Sequence, residues 1–178
     1  MPAIQIKDKF FELFIPEEKI LKEVQRVADQ IGNDMLGKNP LFICVLNGAF
    51  MFASDLIKRL DFPCEVTFIR LKSYEGTGTE GLVKEIHGLI ESVTDRNVVV
   101  VEDIIDTGHT ICQLIETISK DNPASLKVAT LLFKPEALKI KVSPDYVAMD
   151  IPSDFIVGYG LDYDGHGRNL RDIYKLRR

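Results

Sequence analysis

Residues 98–110 read VVVVEDIIDTGHT. The uninterrupted β-branched run at 98–101 is the pattern of a strand covered on both faces, since neither face carries a polar residue that water would claim. The strand ends in two acids, Glu102 and Asp103. A turn holding Asp106, Thr107, Gly108, His109 and Thr110 then leads into a helix over 111–119, which Asn122 and Pro123 stop. In open α/β sheets, ligands gather beyond the carboxyl ends of the strands, so these side chains are placed to meet one. A helix start offers unpaired backbone N–H groups and a partial positive charge, and both suit a phosphate. Gly108 lets the backbone approach an anion closely, and Thr107 and Thr110 can add hydroxyl donors.

The acids of this stretch have competing explanations. Asp106 reads either as a helix N-cap, the commonest role for Asp at such a place, or as a group facing a ligand. Glu102 and Asp103 are adjacent carboxylates that repel each other unless something cationic or hydroxylated sits beside them. A ribose diol with a divalent metal would meet both needs, and the alternative is a pair of solvated acids. The stretch is neither a Walker loop, which needs GxxxxGK[ST], nor a GxGxxG dinucleotide fingerprint.

Outward from this segment, strands and helices alternate. Apolar positions Ile20, Leu21, Val24, Val27, Ala28 and Ile31 recur at helical spacing after Pro16, which suits a first-turn position, and the helix closes near Gly37. Strands are expected at Leu41–Leu46, 64–71, 126–133, 146–149 and 155–157, with a helix over 50–60. Residues 72–88, containing SYEGTGTEG, break the rhythm and read as a long loop, either functional or merely unstructured. Alternation of this kind implies an α/β fold with a parallel central sheet. No repeat or inter-domain linker interrupts it, so residues 1–178 are expected to form one domain.

The 178 residues are 46% hydrophobic and 28% charged, with a formal net charge of −5, which is a globular composition. The acidic balance argues against a general binder of nucleic acid or anionic membrane, while leaving room for a local basic pocket. Cys44, Cys64 and Cys112 lack CxxC spacing and read as reduced thiols of a cytoplasmic protein. His87, His109 and His166 show no ligand spacing with them, so no zinc site is expected. No charged n-region precedes an apolar stretch, and no apolar run approaches the roughly 18–20 residues that cross a bilayer.

The segment 98–110 resembles the PRPP-binding signature of type I phosphoribosyltransferases. Its hydrophobic–EDIIDTG–x–T form is similar to that of the hypoxanthine-guanine enzymes. Further blocks agree in order: IRLKSY at 69–74, LLFK at 131–134 and FIVGYGLDY at 155–163. The resemblance implies the type I phosphoribosyltransferase fold, a central, mostly parallel sheet flanked by helices, with a small hood built from N- and C-terminal segments. It also implies Mg²⁺ as cofactor, PRPP and a 6-oxopurine as substrates, and a homodimer or homotetramer.

Roles follow residue by residue from the same resemblance. The turn from Asp106 to Thr110 would wrap the 5′-phosphate of PRPP, while Glu102 and Asp103 would hold the ribose hydroxyls and face the metal. Asp106 matches the proposed general base near purine N7. Lys134 resembles the lysine that reads the 6-oxo group, Phe155 would stack on the base, and Ile156 would meet its edge through the backbone. Asp162 resembles the acid near a second magnesium, and Arg168 the arginine that contacts pyrophosphate. Leu46, Asn47 and Gly48 correspond to the pyrophosphate loop, where the peptide after Leu46 is often cis. Arg70 and Lys72 match basic positions near PRPP or a partner subunit's site, and Ser73 and Tyr74 begin a lid that would keep water from the reacting ribose. Two departures stand out. His109 replaces a frequent Lys, and Asn47 stands where many relatives carry Lys or Arg.

Other readings remain open at this point. A xanthine- or guanine-preferring transferase would differ only in backbone contacts to the purine C2 substituent. A non-catalytic nucleotide- and RNA-binding regulator on the same fold would need a basic face, against the acidic balance. A pyrimidine-type transferase is poorly served by Lys134 and the FIVGYGLDY block.

Overall fold

The computed structural model describes residues 3–73 and 83–177; Tyr74, and the side chains of Lys72 and Ser73, lie outside what is described. In chain order the elements are β1 (Ala3–Ile6), β2 (Lys9–Ile15), α1 (Glu17–Met35), β3 (Leu41–Leu46), α2 (Phe50–Ile57), β4 (Glu65–Ser73), β5 (Val83–His87), β6 (Asn97–Ile105), α3 (His109–Ser119), β7 (Ser125–Phe133), β8 (Tyr146–Asp150), β9 (Ile156–Val157) and β10 (Ile173–Leu176). The main sheet has the order β5-β4-β3-β6-β7-β8. Its β4, β3, β6, β7 and β8 are mutually parallel, and β5 pairs antiparallel with β4 at the edge. The first and last segments meet in a second, antiparallel sheet of order β1-β2-β10-β9. This is the α/β architecture expected, including the hood from both termini.

The Val98–Val101 run explains how the layers form. Val99 and Val101 enter one core with Phe42, Cys44 and the buried faces of α1 and α2. Val98 and Val100 enter the other, with Leu41, Ile43 and the α3 residues Ile111, Leu114 and Ile118. Helices cover both faces, so polar alternation would bury an unsatisfied group and is absent. In α1, Ile20, Val24, Val27, Ala28, Ile31 and Met35 are buried at helical spacing. Pro16 is the residue before the helix rather than within its first turn, and Glu17 and Glu18 put negative charge at its start.

Three boundaries differ most from the sequence reading. β6 runs on to Ile105 instead of stopping at the acids, because β7 stays paired with it as far as Ile105↔Phe133. The second helix ends at Ile57, short of residue 60. The stretch 72–88 is not all loop: β4 continues to Ser73 and β5 occupies Val83–His87. The open edge of β4 supplies hydrogen bonds to a segment whose own composition carries little strand signal.

Candidate active site

Glu102, Ile104, Ile105, Asp106, Thr107, Gly108, Thr110 and Ile111 line one cleft of about 100 Å³ between the end of β6 and the start of α3. The residue preceding the helix is Gly108, in the left-handed conformation at φ 86°, and no side chain caps this end. Asp106 is therefore not the N-cap. Gly108 is required on two grounds: its positive φ, and the Ile140 carbonyl oxygen 2.8 Å from where a Cβ would stand. The turn is tied from outside, since Lys139 and Ile140 donate backbone N–H bonds to the Thr107 carbonyl at 2.9 and 3.2 Å. His109 opens the helix and Thr110 is exposed.

The paired acids sit inside the strand. Glu102 is only 7% exposed and Asp103 is half-buried. Their oxygens accept from nearby backbone N–H groups: Asp103 to Glu102 at 3.1 Å, and Ile104 to Asp103 at 2.8 Å. Burial raises the Glu102 carboxyl well above the ordinary carboxylate range, and the neighbouring Asp103 charge adds to it. Burial also raises Asp103, opposed by hydrogen bonds from Glu102 and from the Ile104 N–H, and by the Arg168 charge. A pair that resists ionisation in this way favours hydroxyl donors or a cation beside it.

Asp106 projects to solvent, and its Oδ2 accepts from Lys134 Nζ at 2.8 Å. Lys134 is 7% exposed, so its buried ammonium is neutralised by the carboxylate assigned to proton handling. The two residues were expected in separate roles, and the structure joins them in one ion pair.

The opposite wall begins at the end of β3. The Leu46–Asn47 peptide is cis, as the resemblance implied. Arg70, opposite Leu46 in the β3–β4 ladder, donates from Nη2 to Asn47 Oδ1 at 2.7 Å. The Gly48 Cα rests against Asp103: a Cβ there would stand 1.4 Å from Asp103 Oδ2. Gly160, at φ 98°, in turn has space for no Cβ, because the Gly48 carbonyl oxygen lies 2.0 Å from the Cβ position. Arg168 completes this wall. It donates to the Gly160 carbonyl at 2.7 Å and pairs with Asp162 at 2.7 Å, while Asp162 also accepts the Gly165 N–H.

Phe155 precedes β9, 47% exposed, backed by Phe11 and Tyr163 at centroid distances of 6.3 and 5.9 Å. The Leu176 N–H donates to the Phe155 carbonyl at 2.8 Å. That makes Ile156–Lys175 a pair without mutual hydrogen bonds, so the Ile156 peptide groups turn away from β10 on an edge strand. Among the described residues, no group of three or more His, Cys, Asp or Glu side chains is arranged to hold a metal. Asp162 pairs with Arg168 and does not join Glu102 and Asp103 in such a group.

Sequence reasoning missed Tyr159 and Asp55. Tyr159 is fully buried between two glycines and donates its hydroxyl to Asp55 Oδ2 on α2 at 2.6 Å. The GYG triplet was the available signal, since a tyrosine between two glycines marks a tight turn around an anchored ring.

A strand-end acid pair, a glycine-led helix start and a backbone loop facing them have the chemistry that a phosphate and a sugar would need, on an α/β sheet. The phosphoribosyl transferase domain family matches residues 15–164, and the chain belongs to that family. Within it, the chain is 40% identical over 167 residues to the hypoxanthine-guanine phosphoribosyltransferase of Streptococcus thermophilus, covering 93% of each. A crystal structure of a hypoxanthine-guanine phosphoribosyltransferase from Bacillus anthracis, with HEPES in its active site, superposes with a TM-score of 0.86 at 39% identity. That match covers 93% of this chain and 98% of the other. The hypoxanthine phosphoribosyltransferase of Trypanosoma cruzi superposes equally well, at 0.86 and 36% identity over 98% of this chain and 95% of the other.

Proposed function

We propose that this chain is a purine-salvage transferase that moves the 5-phosphoribosyl group of PRPP to N9 of hypoxanthine, and of guanine, releasing pyrophosphate. The observation that carries the reading is the single cleft in which Glu102, Asp106, Thr107, Gly108 and Thr110 converge. The 5′-phosphate takes the backbone N–H groups of Thr107 to Thr110 and the two threonine hydroxyls. The ribose diol takes Glu102 and Asp103, adding hydroxyl partners to carboxyls whose ionisation burial disfavours. Pyrophosphate lies on the backbone of Leu46–Gly48, flanked by Arg168 and Arg70; Lys72, whose side chain lies outside the described residues, joins them by the resemblance alone.

The purine stacks on Phe155, with its edge on the Ile156 backbone and its 6-oxo group toward Lys134. The N9–C1′ bond forms on the face opposite the leaving group, and the C1′–O bond breaks with its electrons going to pyrophosphate. The purine loses one ring proton, which Asp106 accepts. As that carboxylate takes the proton, Lys134 is released from its counter-ion toward the 6-oxo oxygen. Ser73 and Tyr74 begin the segment that excludes water. The oxygen donors of Glu102 and Asp103 would suit one magnesium and, apart from them, that of Asp162 a second, and the metal would neutralise charge on the pyrophosphate. We read the chain as one catalytic unit, acting in the cytoplasm; no helix among the described residues is long and apolar enough to cross a membrane. Exposed Phe50, Val66 and Phe68 beside the pyrophosphate loop support assembly into a homodimer or homotetramer.

Purified protein with Mg²⁺ and PRPP should convert hypoxanthine to IMP, followed by absorbance. If hypoxanthine, guanine and xanthine all go unreacted, the reading fails. Asp106→Asn should lower kcat about a hundredfold or more while changing the KM for PRPP little.

A further inference from the structure

We propose that Asn47 is a positioning residue: its side-chain oxygen holds the Arg70 guanidinium over the pyrophosphate loop, so that the loop's positive charge comes from the neighbouring strand. This rests on the transferase reading above and adds to it an origin for the Asn at position 47.

The chemistry of the pair carries the inference. Leu46 and Arg70 are partners in the parallel β3–β4 ladder, so the arginine emerges beside the point where β3 ends and the cis peptide begins. Its Nη2 meets Asn47 Oδ1 at 2.7 Å, the short end of the N–H···O range expected for a charged donor. A guanidinium has five N–H donors in a fixed fork, and one bond to an amide leaves the others for an anion. Residue type matters at position 47. A carboxylate would bind Arg70 but cancel its charge, and a lysine would have no acceptor and would repel it. An amide accepts without neutralising.

The two flanks of the loop make the contrast. Arg168, on the Gly160 side, is paired with the Asp162 carboxylate at 2.7 Å. Among the described residues, the partner of Arg70, on the other side, is a neutral amide. Both Asn47 and Arg70 are exposed, so neither is needed to fill the core.

The test is a mutant cycle read in the KM for PRPP, the KM for hypoxanthine, and the inhibition constant of inorganic pyrophosphate. Asn47→Ala should raise the PRPP KM and the pyrophosphate inhibition constant about tenfold, with the hypoxanthine KM within about twofold. Arg70→Ala should do at least as much, and the Asn47→Ala/Arg70→Ala double variant should be no worse than Arg70→Ala alone. In an Asn47→Lys background, the lysine displaces the guanidinium, and adding Arg70→Ala should change little. Multiplying effects in the double variant, an Asn47→Ala enzyme with wild-type pyrophosphate inhibition, or an undiminished Arg70 effect beside Lys would each overturn the inference. A wild type that turns over no purine would instead remove the transferase reading. Equal melting temperatures across the set confirm that the fold is untouched.

Discussion

The two walls of the site are built in opposite ways. The phosphate cradle comes from consecutive residues, Glu102 to Thr110, on one strand, one turn and one helix start. The facing wall is assembled from the end of β3, the 158–168 turn and α2, which are far apart in the chain. In the proposed cradle, residue type would do the chemistry: acids for a diol, hydroxyls and N–H groups for a phosphate. Across from it, the decisive feature is the lack of side chains, since Asp103, Gly48 and Gly160 fit only because two of the three have no Cβ.

The largest effect should come from spoiling that fit. Gly48→Ala forces the Asp103 carboxylate aside, a displacement on the scale that costs about a hundredfold in kcat/KM. Near-normal turnover by Gly48→Ala would show the stack to be softer than its geometry. Gly108→Ala attacks the cradle instead, through a positive φ and the Ile140 carbonyl. It should lower stability by about 1–2 kcal/mol, with binding losses centred on PRPP. Equal losses for PRPP and hypoxanthine would deny the cradle its separate role.

A smaller change is expected from Tyr159→Phe, which deletes the buried hydroxyl bonded to Asp55. Stability should fall by about 1–3 kcal/mol, seen as a melting temperature several degrees lower. An unaltered melting temperature would mean that this bond contributes nothing to holding the wall. The smallest effect concerns pH. Folded Glu102 keeps its proton to higher pH than an unfolded carboxylate, so the folded state binds more protons across that window. Stability of the ligand-free protein should be fullest at or below the ordinary carboxylate pKa and fall as pH rises through the raised value. Glu102→Gln should flatten this decline in melting temperature between pH 4 and 8, and identical slopes would rule out Glu102 as its source.

The same contrast explains what could be read from the chain. Val98–Val101, the acids and the glycine turn were legible because their signals are local: a β-branched run, adjacent carboxylates, a Gly before a helix. Resemblance supplied the cis peptide after Leu46 and the hood. The Asp106–Lys134 ion pair was not legible, because 28 positions separate residues that meet only once β6 and β7 lie side by side. The Asn47–Arg70 bond was hidden for the same reason, and in the chain alone Asn47 looked like a lost cation. β5 was missed because its hydrogen bonds depend on the open edge of β4, and β6 was cut short because the acids masked a ladder that continues beneath them.

The contact of Asp103, Gly48 and Gly160 also sets where variation in this molecule can accumulate. A Cβ added at either glycine demands retreat by its neighbour, so substitution there is tightly constrained. Asn47 and Arg70, both exposed, meet no such packing constraint. On the proposed function, adaptation of affinity for the departing pyrophosphate would therefore be steered to the rim of the loop.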